Sequence, residues 1–421
     1  MADELVQKLR VPVKFKAKTL DNNGLVEWNK AACNAVKELG KKHPLTADII
    51  ASVAALDGQE DWLVEETQQL AHDLLASTES NVETVISVLE NNVKPLFLSN
   101  PHPQLNLSTG RVLSHPAGGD MASQDYYNDQ TWKTHPGVDN IVSWCIRQLP
   151  PESYEQVWHL LTPPVMTFLD DYQAPYKLRG VRLVSELLQN VPSVVLKRTG
   201  VGQLLMTSLA RVLTVLYDAL TPRLIRSTVP VTLNLIDMIT APESAERFDQ
   251  LCILLGESII GGVWVYATHD EKTLEATMDV LPLILHALGI GSVRYLKALI
   301  PQCIYCITPN ELRPSLHALE IASLRTLLAV IRECQPRMHR WKGAIIEGVG
   351  KFWVARCNKK EKNDDDDVLC DLVSDVFNSL SEACPAVSDN YALWSNFVCQ
   401  DEYPRLLSTT AADALRNVIP C

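Results

Sequence analysis

Residues 160–188, LLTPPVMTFLDDYQAPYKLRGVRLVSELL, decide the fold. Apolar residues recur through this stretch at the three- and four-residue spacing of a helix face. The run breaks at the acidic turn Asp170-Asp171, and a second helix opens around Pro175. Two helices joined by so short a turn form a hairpin, and hairpins bury their apolar faces by stacking on one another. The pattern recurs at residues 280–300, where Leu281, Leu283, Ile284 and Leu288 end at Gly289 and Gly291. Val293, Leu296, Leu299 and Ile300 then line the following helix. Trp62, Leu63, Leu70, Leu74 and Leu75 keep the same spacing, while sustained two-residue alternation is almost absent. The expected fold is all-α, a HEAT-like or armadillo-like helical-repeat solenoid. At about 40 residues per repeat, roughly seven repeats follow residue 137.

Three regions follow from composition. Residues 1–98 form an acidic helical region, 99–136 an irregular linker rich in Pro, Gly, Asn and Ser, and 137–421 the HEAT-like solenoid. Between residues 43 and 93 stand ten acidic residues and no Lys or Arg, so this segment either packs back on the chain or meets a basic partner. KKEKNDDDD at 359–367 is expected to be an exposed loop, because adjacent aspartates lack the alternating spacing and turn glycine of a calcium loop.

With 421 residues, the chain is too long for one small core, and 47% hydrophobic residues exclude wholesale disorder. Its 38 Lys and Arg against 50 Asp and Glu give a net charge of −12, which disfavours a general nucleic-acid binder. The first residues, MADELVQKLRVPVKFKAK, lack the apolar core of an export signal, so none is expected. The apolar stretches 251–267 and 280–300 are interrupted by Glu257 and by His286, Arg294 and Lys297, and read as buried helices rather than membrane spans. Eleven scattered cysteines fit reduced thiols in a cytosolic or nuclear protein.

Catalytic patterns fail on inspection. Gly343 and Gly348 hint at a phosphate loop, but Val349 follows Gly348, and Lys351 is followed by Phe352 where a hydroxyl would be needed. HExxH and GxSxG do not occur. Cys303 and Cys306, at i and i+3, could chelate zinc with His317, Cys334 or His339, or act in redox chemistry; with Leu299, Ile300 and Ile304 beside them they read better as core thiols. Asp170 and Asp171, being adjacent, diverge rather than face each other across a cleft. They are expected to cap a helix start and to pair with Lys177, Arg179 or Arg182. Gly180 inside its helix costs about 1 kcal/mol relative to Ala unless a close crossing uses its missing side chain.

Leu161-Thr-Pro-Pro, Asp170-Asp171-Tyr172, Lys177 and Gly180-Val181-Arg182, followed by Leu281-Pro282, Leu288-Gly289-Ile290, Val293-Arg294 and Leu296-Lys297, resemble the signature of the Tel-two-interacting-protein-two family over roughly residues 137–356. The resemblance implies a non-catalytic solenoid without metal or cofactor. It also implies membership of the Triple T assembly with Tel-two and Tel-two-interacting protein one. Such an assembly brings phosphatidylinositol-three-kinase-related kinases, among them TOR and the ATM- and ATR-like kinases, to the ninety-kilodalton heat-shock chaperone and R2TP. Its setting would be cytoplasmic and nuclear, without direct nucleic-acid or membrane contact. Asp170, Asp171, Tyr172, Lys177, Gly180, Arg182, Arg294 and Lys297 are the candidates for partner binding or for stapling repeats together. A nuclear-transport or trafficking adaptor of similar build, and a zinc or redox enzyme at Cys303 and Cys306, are the rival readings.

Overall fold

A computed structural model describes residues 2–12, 22–41, 45–78, 81–99, 101–117, 126, 130–308, 316–357 and 366–385. The loop reading of 359–367 falls outside them except for Asp366 and Asp367, which open a helix. The fold is all-α; among the described residues the only β pairing is one isolated bridge, Leu105 to Val112. The chain divides into two compact units, residues 1–212 and 213–421.

The first unit opens with α1 (Ala2–Leu9), α2 (Asn22–Leu39), α3 (Ala47–Ala54) and α4 (Glu65–Ala76). Then come α5 (Val82–Val88), a π-helical turn (Leu89–Val93) and α6 (Lys94–Phe97). After a 3-10 turn (Thr131–Thr134) follow α7 (Val138–Gln148), α8 (Tyr154–Asp170), α9 (Ala174–Asn190), α10 (Ser193–Thr199) and α11 (Val201–Val212). The hairpin at 160–188 is α8 and α9, and α9 packs on both α8 and α7. Leu160, Leu161, Val165, Phe168 and Leu169 from α8 meet Val181, Leu183, Val184 and Leu187 from α9 in a dry core.

Residues 99–136 lie inside this unit, and their described part is irregular yet packed. Leu105 and Trp132 are buried. The Val112 N–H donates to the Thr199 carbonyl at 3.1 Å, tying the segment to the end of α10. Gly137 precedes α7 at φ +83°, and a β-carbon there would stand 2.4 Å from the Ala55 carbonyl oxygen. That contact lets the end of α3 lie directly on the start of α7.

The second unit has α12 (Thr221–Ile239), α13 (Ala245–Cys252) running into a π-helix (Ile253–Trp264), and α14 (Glu271–Leu288). A 3-10 turn (Gly289–Tyr295) leads to α15 (Leu296–Ile307) and α16 (His317–Glu333), and another (Gln335–Arg340) leads to α17 (Lys342–Cys357) and α18 (Asp366–Ala383). Here α12 packs on α14, α14 on α16 and α16 on α18, while α15 packs on α16 and α17. Contact with the next helix but one is what stacked helical hairpins produce. Thr326 on α16 donates to the Met278 carbonyl on α14 at 2.7 Å, a buried bond between successive hairpins.

The segment Glu271–Ile307 has the length and hydropathy to cross a membrane, but 50% of its apolar window is buried and the 3-10 turn splits it into α14 and α15. Leu251, Leu254, Leu255, Ile259 and Val263 are likewise buried. Gly348, one of the two glycines of the apparent phosphate loop, faces the side chain of Ile304 inside α17, and Trp353 is buried on the same helix. Cys303 is fully buried and Cys306 nearly so, and burial first, then the neighbouring Cys306, pushes the Cys303 thiol well above its ordinary pKa. A thiol that resists ionisation is a poor nucleophile and metal ligand. Iodoacetamide should therefore leave Cys303 unmodified in the folded chain and alkylate it only after unfolding, as peptide mapping can measure. Rapid native labelling would return Cys303 and Cys306 to the list of reactive groups.

Candidate functional site

The sequence candidates of the first unit cluster along the α7, α8 and α9 contact, but their bonds are not those expected. Asp171 closes the turn just before α9 rather than capping its first helical N–H groups: its Oδ1 accepts from the Gln173 N–H at 2.9 Å. Its counter-charge is Lys133, at 2.5 Å, rather than Lys177, Arg179 or Arg182. The Lys133 ammonium also stands 4.7 Å from the ring centre of Tyr172, 5.2 Å from that of Tyr176 and 5.3 Å from that of Trp132, a cationic centre held by three aromatic faces. Tyr172 is 63% exposed, so it closes this cluster on the solvent side.

Asp170 is buried and turns the other way, to His102 at 3.0 Å. The Gln104 N–H donates to His102 Nδ1, which leaves Nε2–H to donate to the carboxylate. Burial alone would push the Asp170 carboxyl up; the His102 bond and the charge of Lys177 outweigh it and hold the group below its ordinary value. Lys177 donates to the Leu169 carbonyl at 3.3 Å, and its burial lowers its own pKa despite Asp170 and Asp171 nearby.

Arg182 and Arg179 converge on Asp139, which is fully buried in the first turn of α7. Arg179 reaches Oδ1 and Arg182 reaches Oδ2, each at 2.8 Å. Arg179 continues to Glu60 at 2.6 Å, and Arg182 to the Asn140 Oδ1 at 2.9 Å. Asn140 in turn donates to the Ala55 carbonyl at 3.3 Å. Glu60 is pushed above its ordinary value chiefly by burial, against the pull of Arg179. From the same acidic segment, Asp57 pairs with Arg147 at 2.9 Å, and Glu66 with Lys37 at 2.9 Å. Asp57 and Glu60 are thus turned inward and join the loop after α3 to α7 and α9, whereas the Glu66 pair stays exposed between α4 and α2.

Gly180 sits where α9 crosses α8 most closely. A β-carbon there would lie 2.4 Å from the Leu169 nitrogen. In the second unit Arg294 and Lys297 are exposed; the Arg294 guanidinium lies 5.6 Å from the Phe248 ring centre and donates to the Cys252 sulfur at 3.8 Å. The sequence reading missed Glu60, His102, Lys133 and Asp139. Asp139, placed just after a glycine at a helix start, carried a local signal; the other three had none. Each named carboxylate of the first unit is paired with a cation or an imidazole, and the buried pairs fix helix positions.

The profile of the Tti2 family matches residues 49–310, which include Glu60, His102, Lys133, Asp139, Asp170, Asp171, Arg179 and Arg182 together with Arg294 and Lys297. The chain belongs to the Tti2 family. Relatives of this Tti2 chain are TELO2-interacting protein 2 of Rattus norvegicus, 27% identical over 183 residues, with 41% of this chain and 34% of the relative aligned. The Mus musculus protein is 30% identical over 80 residues, covering 19% of this chain and 16% of its own length. For Homo sapiens the identity is 25% over 147 residues, covering 35% and 26%. The alignments thus span about a third or less of these relatives. An engineered protein of known crystal structure aligns with 99% of this chain and 94% of its own at a TM-score of 0.35 and 12% identity, too distant to bear on the fold.

Proposed function

We propose that this Tti2-family chain is a non-catalytic scaffold subunit of the Triple T assembly, binding Tel-two and Tel-two-interacting protein one. In that role it supports the folding and stability of phosphatidylinositol-three-kinase-related kinases with the ninety-kilodalton heat-shock chaperone and R2TP, in cytoplasm and nucleus. Family membership over residues 49–310 carries this reading, and the relatives' names state an interaction with TELO2. The geometry supports it in kind, because stacked helical hairpins offer an extended surface per residue and the buried charges serve to hold helices in place.

The test is affinity purification of the full-length chain at native salt with mass spectrometry, followed by depletion in cells. Tel-two and Tel-two-interacting protein one should co-purify in near-equal amounts, and several of the large kinases should fall together on depletion. Recovery of transport factors with unchanged kinase levels would replace the proposal with the trafficking-adaptor reading.

A further inference from the structure

The turn between α16 and α17 reads RECQPRMHRWK from Arg332 to Lys342 and holds four cationic side chains, Arg332, Arg337, Arg340 and Lys342, against one carboxylate, Glu333. Glu333 is already engaged by His286 at 3.1 Å. Arg332, Arg337, His339 and Arg340 are exposed, whereas Met338 is fully buried and pins the turn to the core. In a chain of net charge −12 this is a local reversal of sign.

Unpaired, exposed arginines occur singly elsewhere, as at Arg111, Arg223 and Arg325, but here three are gathered at one turn, whereas many of the others are used within the chain. Arg147, Arg179, Arg182, Arg198, Arg226 and Arg247 all form ion pairs within the chain. Among the described residues, Arg332, Arg337 and Arg340 form none. Nor does the first turn of α17 supply an acidic residue to neutralise them.

Geometry narrows what such a strip would accept. Gln335–Arg340 is a 3-10 helix, in which side chains three apart eclipse, so Arg337 and Arg340 rise from one edge about 6 Å apart. Alternate side chains of an extended chain are spaced by about 6.6 Å and point the same way. Two carboxylates at alternate positions of an extended segment can therefore meet both guanidiniums at once, each as a fork on a carboxylate. The half-exposed ring of Trp341 stands next in line.

We propose that this edge is a docking strip for an extended acidic segment of a partner protein, with carboxylates at alternate positions. A protein segment is favoured over nucleic acid because the strip is short and the rest of the chain is acidic, which repels a long polyanion. The inference goes beyond the scaffold reading and does not depend on which assembly the chain joins.

The test uses the full chain and a fluorescein-labelled peptide of alternating Glu and Ser, followed by anisotropy at low salt. Binding should weaken at least tenfold in Arg337→Glu/Arg340→Glu, persist in Arg223→Glu at another exposed arginine, and fall as salt rises. Thermal melts of each variant establish that the fold is retained; should the double reversal unfold, Arg337→Gln/Arg340→Gln must show the same loss. Wild-type affinity in the reversed or neutralised variant, or equal binding of the Gln-for-Glu peptide, would overturn the strip. Equal or tighter binding of single-stranded RNA at the same arginines would overturn the choice of partner.

Discussion

Gly180→Ala should destabilise the first unit by about 2–3 kcal/mol, even though alanine is the better helix former by about 1 kcal/mol. The sign is decided by what the new methyl would meet: the Leu169 nitrogen at 2.4 Å, the Leu169 Cα at 2.5 Å and the Phe168 carbonyl carbon at 2.7 Å. All three are backbone atoms of α8. A crowding side chain can swing aside; a helix backbone cannot, so α8 and α9 must separate and loosen buried Phe168, Leu169, Val181 and Val184 with them. For a unit of this size each kcal/mol shifts the melting temperature by about 2–4 °C, so the drop should be several degrees. Gly343→Ala is the companion measurement, since nothing lies within 4 Å of a β-carbon there. It should fall within about 1 kcal/mol of wild type. If Gly180→Ala melts no lower than Gly343→Ala, the crossing at Gly180 is not the close one described.

The helices were legible because periodicity is local. Residues 160–188 carry their own face, and the turn at Asp170-Asp171 and the crossing at Gly180 are properties of that same short stretch. The ion pairs were not legible, because a carboxylate's partner depends on the path of the whole chain. Asp170 finds His102, 68 residues earlier, and Arg179 finds Glu60, 119 residues earlier. Nearest-neighbour reasoning offered Lys177, Arg179 and Arg182 instead, and these turn to the Leu169 carbonyl, Asp139 and Asn140. The turn at 213–220, where the second unit starts, carries neither Gly nor Pro; Tyr217 itself takes φ +70°. The π-helical winding of Ile253–Trp264 likewise leaves no mark in a mostly apolar run, broken by Glu257, that reads as an ordinary buried helix.

Asp139→Ala should cost about 2–3 kcal/mol, and the reason is charge rather than volume. Breaking a buried ion pair from one side costs about 3–5 kcal/mol. Arg179 and Arg182 keep 27% and 38% of their side-chain surface in contact with water, which reduces that figure. The carboxylate also faces the positive end of α7, a smaller contribution of about 0.3–1 kcal/mol. Asp139→Asn, which keeps the volume and one acceptor, should lose most of the same stability. Removing Asp139 and Arg182 together should cost less than the two single changes added, because the second change removes a cation the first has stranded. Glu60→Gln separates the remaining partner by its pH dependence. Below the ordinary glutamate value of 4.5, Glu60 is protonated in both folded and unfolded chains. As pH rises through its raised folded value, ionisation is harder in the folded chain, so the stability held in the protonated form is lost. Wild type should therefore lose stability relative to Glu60→Gln as pH climbs above 4.5, in urea titrations run at successive pH values. A flat difference, or an Asp139→Ala variant as stable as wild type, would mean that the two arginines are held by solvent and not by this carboxylate.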